Sequence, residues 1–168
     1  MTTNKGIDRL QQALLDRLRD DHPEQRVEPA EARVMSRQRL REAVLRDLEW
    51  LFNATAPAAV EGLGDFPRAA RSVLGFGLPA LSGTTASSID PPWLEAQVKR
   101  AILDHEPRIL ADSLRVEALL SDLQIGHRNQ ISIRISGQMW AQPVPLELLL
   151  HTDFDLETGR VQIRELAR

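Results

Sequence analysis

The sequence predicts an α+β domain, with N-terminal helices packed on an antiparallel sheet of about four strands in the C-terminal part. Three observations point there. Apolar residues recur at helical spacing through the first two thirds of the chain, up to Pro107. From Leu114 onward the pattern alternates with a period of two, most clearly over Ile131, Ile133, Ile135, Gly137 and Met139. Polar, glycine-bearing clusters at Gly126-His127-Arg128-Asn129 and Asp155-Leu156-Glu157-Thr158-Gly159 separate the alternating runs as turns. Helices first and strands afterwards is the α+β order.

Ile7, Leu10, Leu14, Leu15 and Leu18 give an amphipathic helix over roughly 7–20, closed at Asp20-Asp21-His22-Pro23. Residues 24–33 are polar and read as a linker, so 1–33 forms an N-terminal helix and linker, and 34–168 the main α+β domain. Ser36 caps a second helix to about Asn53, with Leu40, Val44, Leu48 and Leu51 on one face and Leu45 and Phe52 beside them. Arg37, Arg39 and Arg41 read as a solvated turn paired along the helix, with a partner patch as the other reading. Residues 54–65 form a loop, and Phe66-Pro67 opens a short helix with Ala69, Ala70, Val73 and Leu74 as apolar members. Gly75 and Gly77 turn the chain; a dinucleotide fingerprint would need a strand, a third glycine and a helix around them. Asp90-Pro91-Pro92 starts a helix whose buried face is Trp93 or Leu94, then Val98, Ala101, Ile102 and His105, and Pro107 forces its end. The first strand begins at Leu114-Arg115-Val116-Glu117-Ala118. Leu146 to Phe154 is a third strand apolar enough to be covered on both faces, and Val161 and Ile163 belong to the last.

Composition narrows the function. The 168 residues are 42% apolar and 27% charged, enough for a real core without staples. The absence of cysteine removes disulfides, thiol nucleophiles and thiolate metal sites. A net charge of −3 with 4% aromatics lacks the basic footprint and stacking platforms of a nucleic-acid binder. The polar start Met1-Thr2-Thr3-Asn4-Lys5-Gly6 is unlike a signal peptide, and no apolar run approaches a membrane span, so a soluble, cytoplasmic protein without membrane insertion is expected.

Three constellations could carry chemistry. Glu106, with Asp104 and Glu117 near it in sequence, is the best candidate acid of a carboxylate pair. His151, Asp153 and Asp155, spaced by two, would share one strand face as metal ligands, or as a simple hydrogen-bonded pair with Asp155 in the turn. His22, His105, His127 and His151 show no paired-ligand spacing, and Ser72, Ser82 and Ser136 lack a nucleophile elbow. No catalytic, cofactor or metal residue is therefore expected. Glu106-Pro107-Arg108 follows a different logic: proline fixes a corner between an acceptor and a five-donor fork. It serves either as a displayed docking pair or as an internal brace that caps the turn.

Several segments, in order, resemble the TssE family of type VI secretion baseplates, related to the wedge protein that starts the sheath in contractile phage tails. Leu14-Leu15-Asp16-Arg17-Leu18 is similar to the family's N-terminal motif, and Leu45-Arg46-Asp47-Leu48-Glu49-Trp50-Leu51-Phe52-Asn53 to its second-helix signature. Arg71-Ser72-Val73-Leu74 and Gly77-Leu78-Pro79-Ala80-Leu81-Ser82 resemble its central stretch, and Glu106-Pro107-Arg108 its Glu-Pro-Arg motif. The resemblance covers most of the chain from residue 14; Phe52 departs where an aliphatic residue is usual.

The resemblance implies a structural, non-catalytic subunit at the inner face of the cytoplasmic membrane. Glu106, Pro107 and Arg108 are implied to dock on the core bundle of a wedge built from TssF- and TssG-type proteins, with a TssK-type adaptor as a further partner. The last strand, Arg160, Val161, Gln162, Ile163, Arg164, Glu165 and Leu166, is implied to receive strands from TssB/TssC-type sheath subunits. An open strand edge is a template for another chain, and pre-ordering that edge would start sheath growth. Deleting 160–168 is then expected to spare the fold and stop the sheath. A phage-tail wedge subunit, a lysozyme-like peptidoglycan hydrolase and an uncommitted interaction module are the alternatives.

Overall fold

The computed structural model describes residues 13–18, 23–24, 36–56, 65–119, 129–141 and 143–166, with the Arg17 side chain excepted. The expectations for 7–12 and 19–22, most of the linker, 57–64 and the turn at 126–128 lie outside the described residues.

Ser36 starts the long helix as expected. Its hydroxyl accepts the Arg39 N–H at 3.1 Å, and the helix α2 runs Arg37–Asn53. A short helix α1, Leu14–Leu18, precedes it. Pro67 opens α3, Pro67–Ala70, and α4 runs Pro91–His105. Asp90 helps α4 only through its backbone, accepting from Leu94 N–H, since its side chain makes no cap bond. The proline ring supplies the fixed φ that starts this helix. Four strands follow: β1 Arg115–Leu119, β2 Gln130–Met139, β3 Leu146–Asp155 and β4 Val161–Glu165. They form one antiparallel sheet in the order β1-β2-β3-β4, a meander with β1 and β4 at its edges.

Alternation decides which face is buried. Ile133, Ile135 and Met139 on β2 and Leu148, Leu150, Thr152 and Phe154 on β3 turn inward, meeting Leu40, Val44, Leu48, Leu51 of α2 and Leu94, Val98, Ile102 of α4. α2 contacts β4 and α4 contacts β1, so the two helices cover one face of the sheet. The other face is only partly covered. On β3, Glu147 is exposed and Leu149 and His151 are half-buried, which corrects the expectation that this strand is enclosed on both sides. Leu94 takes the core position of α4 and Trp93 is exposed.

The central stretch departs further. The short helix opened at Pro67 ends at Ala70, so Val73 and Leu74 are not its members; they sit in a 3-10 turn, Val73–Gly75, and are exposed. Gly77 has φ 120°, and a Cβ there would lie 2.5 Å from the Ala54 carbonyl oxygen. That close approach lets Leu78 N–H donate to Ala54 and Ala56 N–H donate to Leu78, tying this loop to the end of α2.

Candidate functional site

The helix-to-sheet corner is built by sequence. Glu106 N–H donates to Ile102 at 2.8 Å as the last helical bond, and Pro107 ends the helix. The chain then fastens to β2: Leu110 N–H donates to Gln138 at 2.8 Å and Trp140 N–H to Arg108 at 2.7 Å. The corner is therefore locked to both layers before its side chains are considered.

Those side chains turn inward. Glu106 and Arg108 are 3% and 5% exposed, whereas Pro107 is on the surface. Arg108 Nε donates to Glu106 Oε1 at 2.7 Å and Nη2 to Oε2 at 2.5 Å, a bidentate pair, while Arg108 N–H also reaches Oε1 at 3.1 Å. Nη2 further donates to Asp47 Oδ2 of α2 at 2.5 Å. Burial alone would lower the Arg108 pKa, but the bonds and charge of Glu106 and Asp47 outweigh it and hold the pKa above its ordinary value. Of the two readings the sequence leaves open, the geometry is that of the brace: within the chain, Glu106 and Arg108 hold one another and α2. One guanidinium nitrogen is left over. Arg108 Nη1 is buried without a partner.

The brace extends outward as a chain of alternating charge. Asp47 Oδ1 accepts from Arg46 Nε and Nη2 at 3.0 and 2.8 Å. Arg46 in turn grips Asp16 of α1 through Nη1 at 2.6 Å and Nη2 at 3.2 Å, with its guanidinium 5.1 Å from the Trp50 ring centroid. The Arg46 bond holds the Asp16 carboxyl below the usual range, and Asp16 raises Arg46. This link seats α1 beside the corner. Ala13, Leu14, Trp50, Phe76, Pro107 and Arg108 are among the walls of a cleft of about 350 Å³ there. Of its lining residues Leu14 and Trp50 are half or more exposed, as are Leu15 and Leu18 elsewhere on α1.

The second predicted surface is β4. Asp155 N–H donates to Arg160 and Leu166 N–H to Leu149, which fixes the alternation: Gln162 and Arg164 exchange backbone bonds with β3, and Val161, Ile163 and Glu165 aim theirs outward. Both outward groups of Val161 are taken by the Asn53 side chain, Val161 N–H to Oδ1 and Nδ2–H to the Val161 carbonyl, each at 3.0 Å. Among the described residues, Ile163 and Glu165 have no outward backbone partner. The Glu165 side chain is steadied by charge: Arg41 pairs with it at 2.8 Å and donates to the Glu147 carbonyl, so Arg41 bonds to the sheet rather than along its helix. Val161 is buried in the core, 6% exposed. Deleting 160–168 would remove that core residue and the partner of Asn53, so the expectation that this deletion spares the fold is corrected.

The remaining candidates find ordinary roles. His151 Nε2 lies 3.0 Å from Asp153 Oδ1, which also accepts from Ser132 Oγ at 2.6 Å, and Arg164 Nη2 donates to Oδ2 at 2.5 Å. Burial would raise the Asp153 pKa; the Ser132 bond with the His151 and Arg164 charges overrides it and lowers it. Asp155 instead accepts the Glu157 and Thr158 N–H groups of the hairpin. Among the described residues no group of three His, Asp or Glu is arranged to hold a metal. Asp104 is paired with Arg71 at 2.7 Å, Glu117 stands opposite Arg134 on the sheet, and Glu106 is held by Arg108. Sequence reasoning missed Asp47 and Asn53. Both lie within the second-helix signature, where Asp47 reads as one more solvated charge and Asn53 as the end of a helix.

No curated protein and no solved structure matches the chain. Residues 38–144 do match a protein family, described as baseplate wedge protein gp25. The match takes in α2, the loop tied to it at Gly77, α4, the Glu106-Pro107-Arg108 corner and the first two strands. On that coverage, the chain belongs to the family of the baseplate wedge protein gp25.

Proposed function

We propose that this chain is the adaptor of a type VI secretion baseplate, joining a TssF/TssG-type wedge core to the first TssB/TssC-type sheath subunits and templating their polymerisation by strand addition. Family membership supplies the coarser part, a structural component of a phage-type baseplate wedge that contacts other baseplate proteins. The observation that carries the finer part is the open edge of β4, held by α2 through Asn53 and Arg41. A strand fixed in this way offers its register without having to order itself first, which is what a nucleating layer needs.

The wedge side rests on the cleft beside the corner. Leu14 and Trp50 offer apolar anchors in the cleft, Leu15 and Leu18 are exposed beside them on α1, and Pro107 and the braced Arg108 complete its lining. In this reading Glu106 positions Arg108, Pro107 makes surface contact, and α1 is the second half of the docking site. A TssK-type adaptor is a further partner. The residues provide assembly contacts, with no catalytic step assigned. Among the described residues no helix is long and apolar enough to cross a membrane, which suits a cytoplasmic protein gathered to the inner face of the membrane by its partners.

Co-elution with co-expressed TssF- and TssG-type proteins tests the docking half. Leu14→Glu with Leu18→Glu changes exposed residues, so the variant stays folded and is expected to lose the wedge. Retention of the wedge by this variant would remove α1 from the interface. If even the wild type fails to co-elute, the wedge assignment falls.

A further inference from the structure

A side-chain amide carries the same donor and acceptor as a peptide group. Asn53 uses both on one residue of an edge strand, donating to the Val161 carbonyl and accepting its N–H, and its Nδ2 is itself steadied by the Glu49 carbonyl at 2.9 Å. At that position the edge is already paired, as though a one-residue strand lay beside it. Two residues on, Ile163 and Glu165 have the same outward geometry with no partner among the described residues. We infer that Asn53 is a register stop: it closes the β4 edge at Val161, so that an added strand bonds to Ile163 and Glu165 and cannot slide further toward the β3–β4 hairpin. The inference rests on the strand-addition reading above and specifies the partner's register.

The side chains along this lane define the partner strand. Opposite residues of neighbouring strands share a face. Ile163 points to the core side, half-buried against it, so the residue opposite it is apolar. Arg164 points to the other face, where the pairings Arg134↔His151 and His151↔Arg164 place two guanidinium groups in one row across the sheet. Arg164 is 66% exposed despite its bond to Asp153. A carboxylate on the added strand opposite Arg164 meets this row favourably, and a cation there is disfavoured. A slip of one residue would reverse both matches, and the stop at Val161 blocks a slip of two toward the hairpin.

Residue-resolved amide hydrogen exchange on the full chain reads this directly. In the free protein the Val161 amide should exchange about tenfold more slowly than those of Ile163 and Glu165, the protection of one net hydrogen bond. Asn53→Ala should abolish the difference, and Asn53→Asp, whose second oxygen would face the Glu49 and Val161 carbonyls, should reduce it. Adding a purified TssB/TssC-type heterodimer should then protect Ile163 and Glu165 in the wild type and, in Asn53→Ala, protect Val161 as well. Val161 exchanging as fast as Ile163 in the free wild type would overturn the stop while leaving strand addition standing. A heterodimer that displaces Asn53 from wild-type Val161, seen as release of the Asn53 amide protons, would also overturn it. No added protection anywhere over 161–165 would sink strand addition itself, and the proposed register with it.

Discussion

Replacing Arg108 by methionine keeps most of the side-chain volume and removes the guanidinium. Glu106, 3% exposed, would then hold only the Arg108 backbone N–H at 3.1 Å in place of two charged donors. Asp47 would lose one donor and keep two from Arg46. The main cost is thus one buried, uncompensated carboxylate, about 3–5 kcal/mol. For a chain of this size each kcal/mol moves Tm by about 2–4 °C, so Arg108→Met should melt roughly 6–20 °C lower. Glu106→Met leaves the guanidinium half-paired and should cost a similar amount. The double methionine variant removes both charges and should cost no more than either single change, so the coupling should equal at least one single loss, about 3 kcal/mol or more. Urea denaturation of the four proteins closes the cycle. Additive single losses, or singles costing under about 1 kcal/mol, would show that water reaches the pair and that it behaves as a surface salt bridge.

Asp16 and Asp153 are both held below their ordinary value of 3.8, so the native state releases their protons more readily than the unfolded chain. Their stabilisation is complete above that value and is lost as pH falls below about 4 through the depressed folded values. Urea midpoints measured between pH 6 and pH 2.5 should drop in this range, and Asp153→Asn should start lower and fall less steeply; a parallel curve would contradict the assignment. Leu150→Ala, at a fully buried position facing the helices, should cost about 2–5 kcal/mol in the same assay, and a cost below 1 kcal/mol would misplace the core. Gly77→Ala faces both a φ of 120° and a 2.5 Å approach to the Ala54 oxygen. The backbone strain alone should cost about 1–3 kcal/mol, visible as a lowered Tm, and an unchanged Tm would refute that geometry.

The helices and strands were legible because their patterns are local. Ser36 precedes a stripe of Leu40, Val44, Leu48 and Leu51, Pro107 forbids continuation, and Ile131, Ile133 and Ile135 alternate. Val73 and Leu74 misled because apolar spacing suggested that the helix opened at Pro67 continues through them, whereas it stops at Ala70 and their 3-10 turn leaves them on the surface. The site was half legible. Glu106-Pro107-Arg108 stood out as a unit, but its orientation depends on Asp47, which lies 61 positions from Arg108 in the chain. Asn53 and Val161 are 108 positions apart. Side-chain partners at such separations leave no periodic trace, so neither the brace nor the closed end of the β4 edge shows in the residue pattern.

The templating edge offers one substitution that separates binding from folding. Ile163 aims its N–H outward, while Gln162 and Arg164 carry the bonds to β3, so Ile163→Pro removes a donor that the fold does not use. Proline at such an edge position is tolerated by the sheet and hostile to a further strand. The measurement is sheath growth from purified TssB/TssC-type subunits, seeded by assembled wedge complexes carrying either the wild-type chain or Ile163→Pro. The account predicts that both chains enter the wedge, that the wild type seeds sheaths, and that the proline variant seeds few or none. Sheaths of equal number and length from both would contradict strand addition at β4.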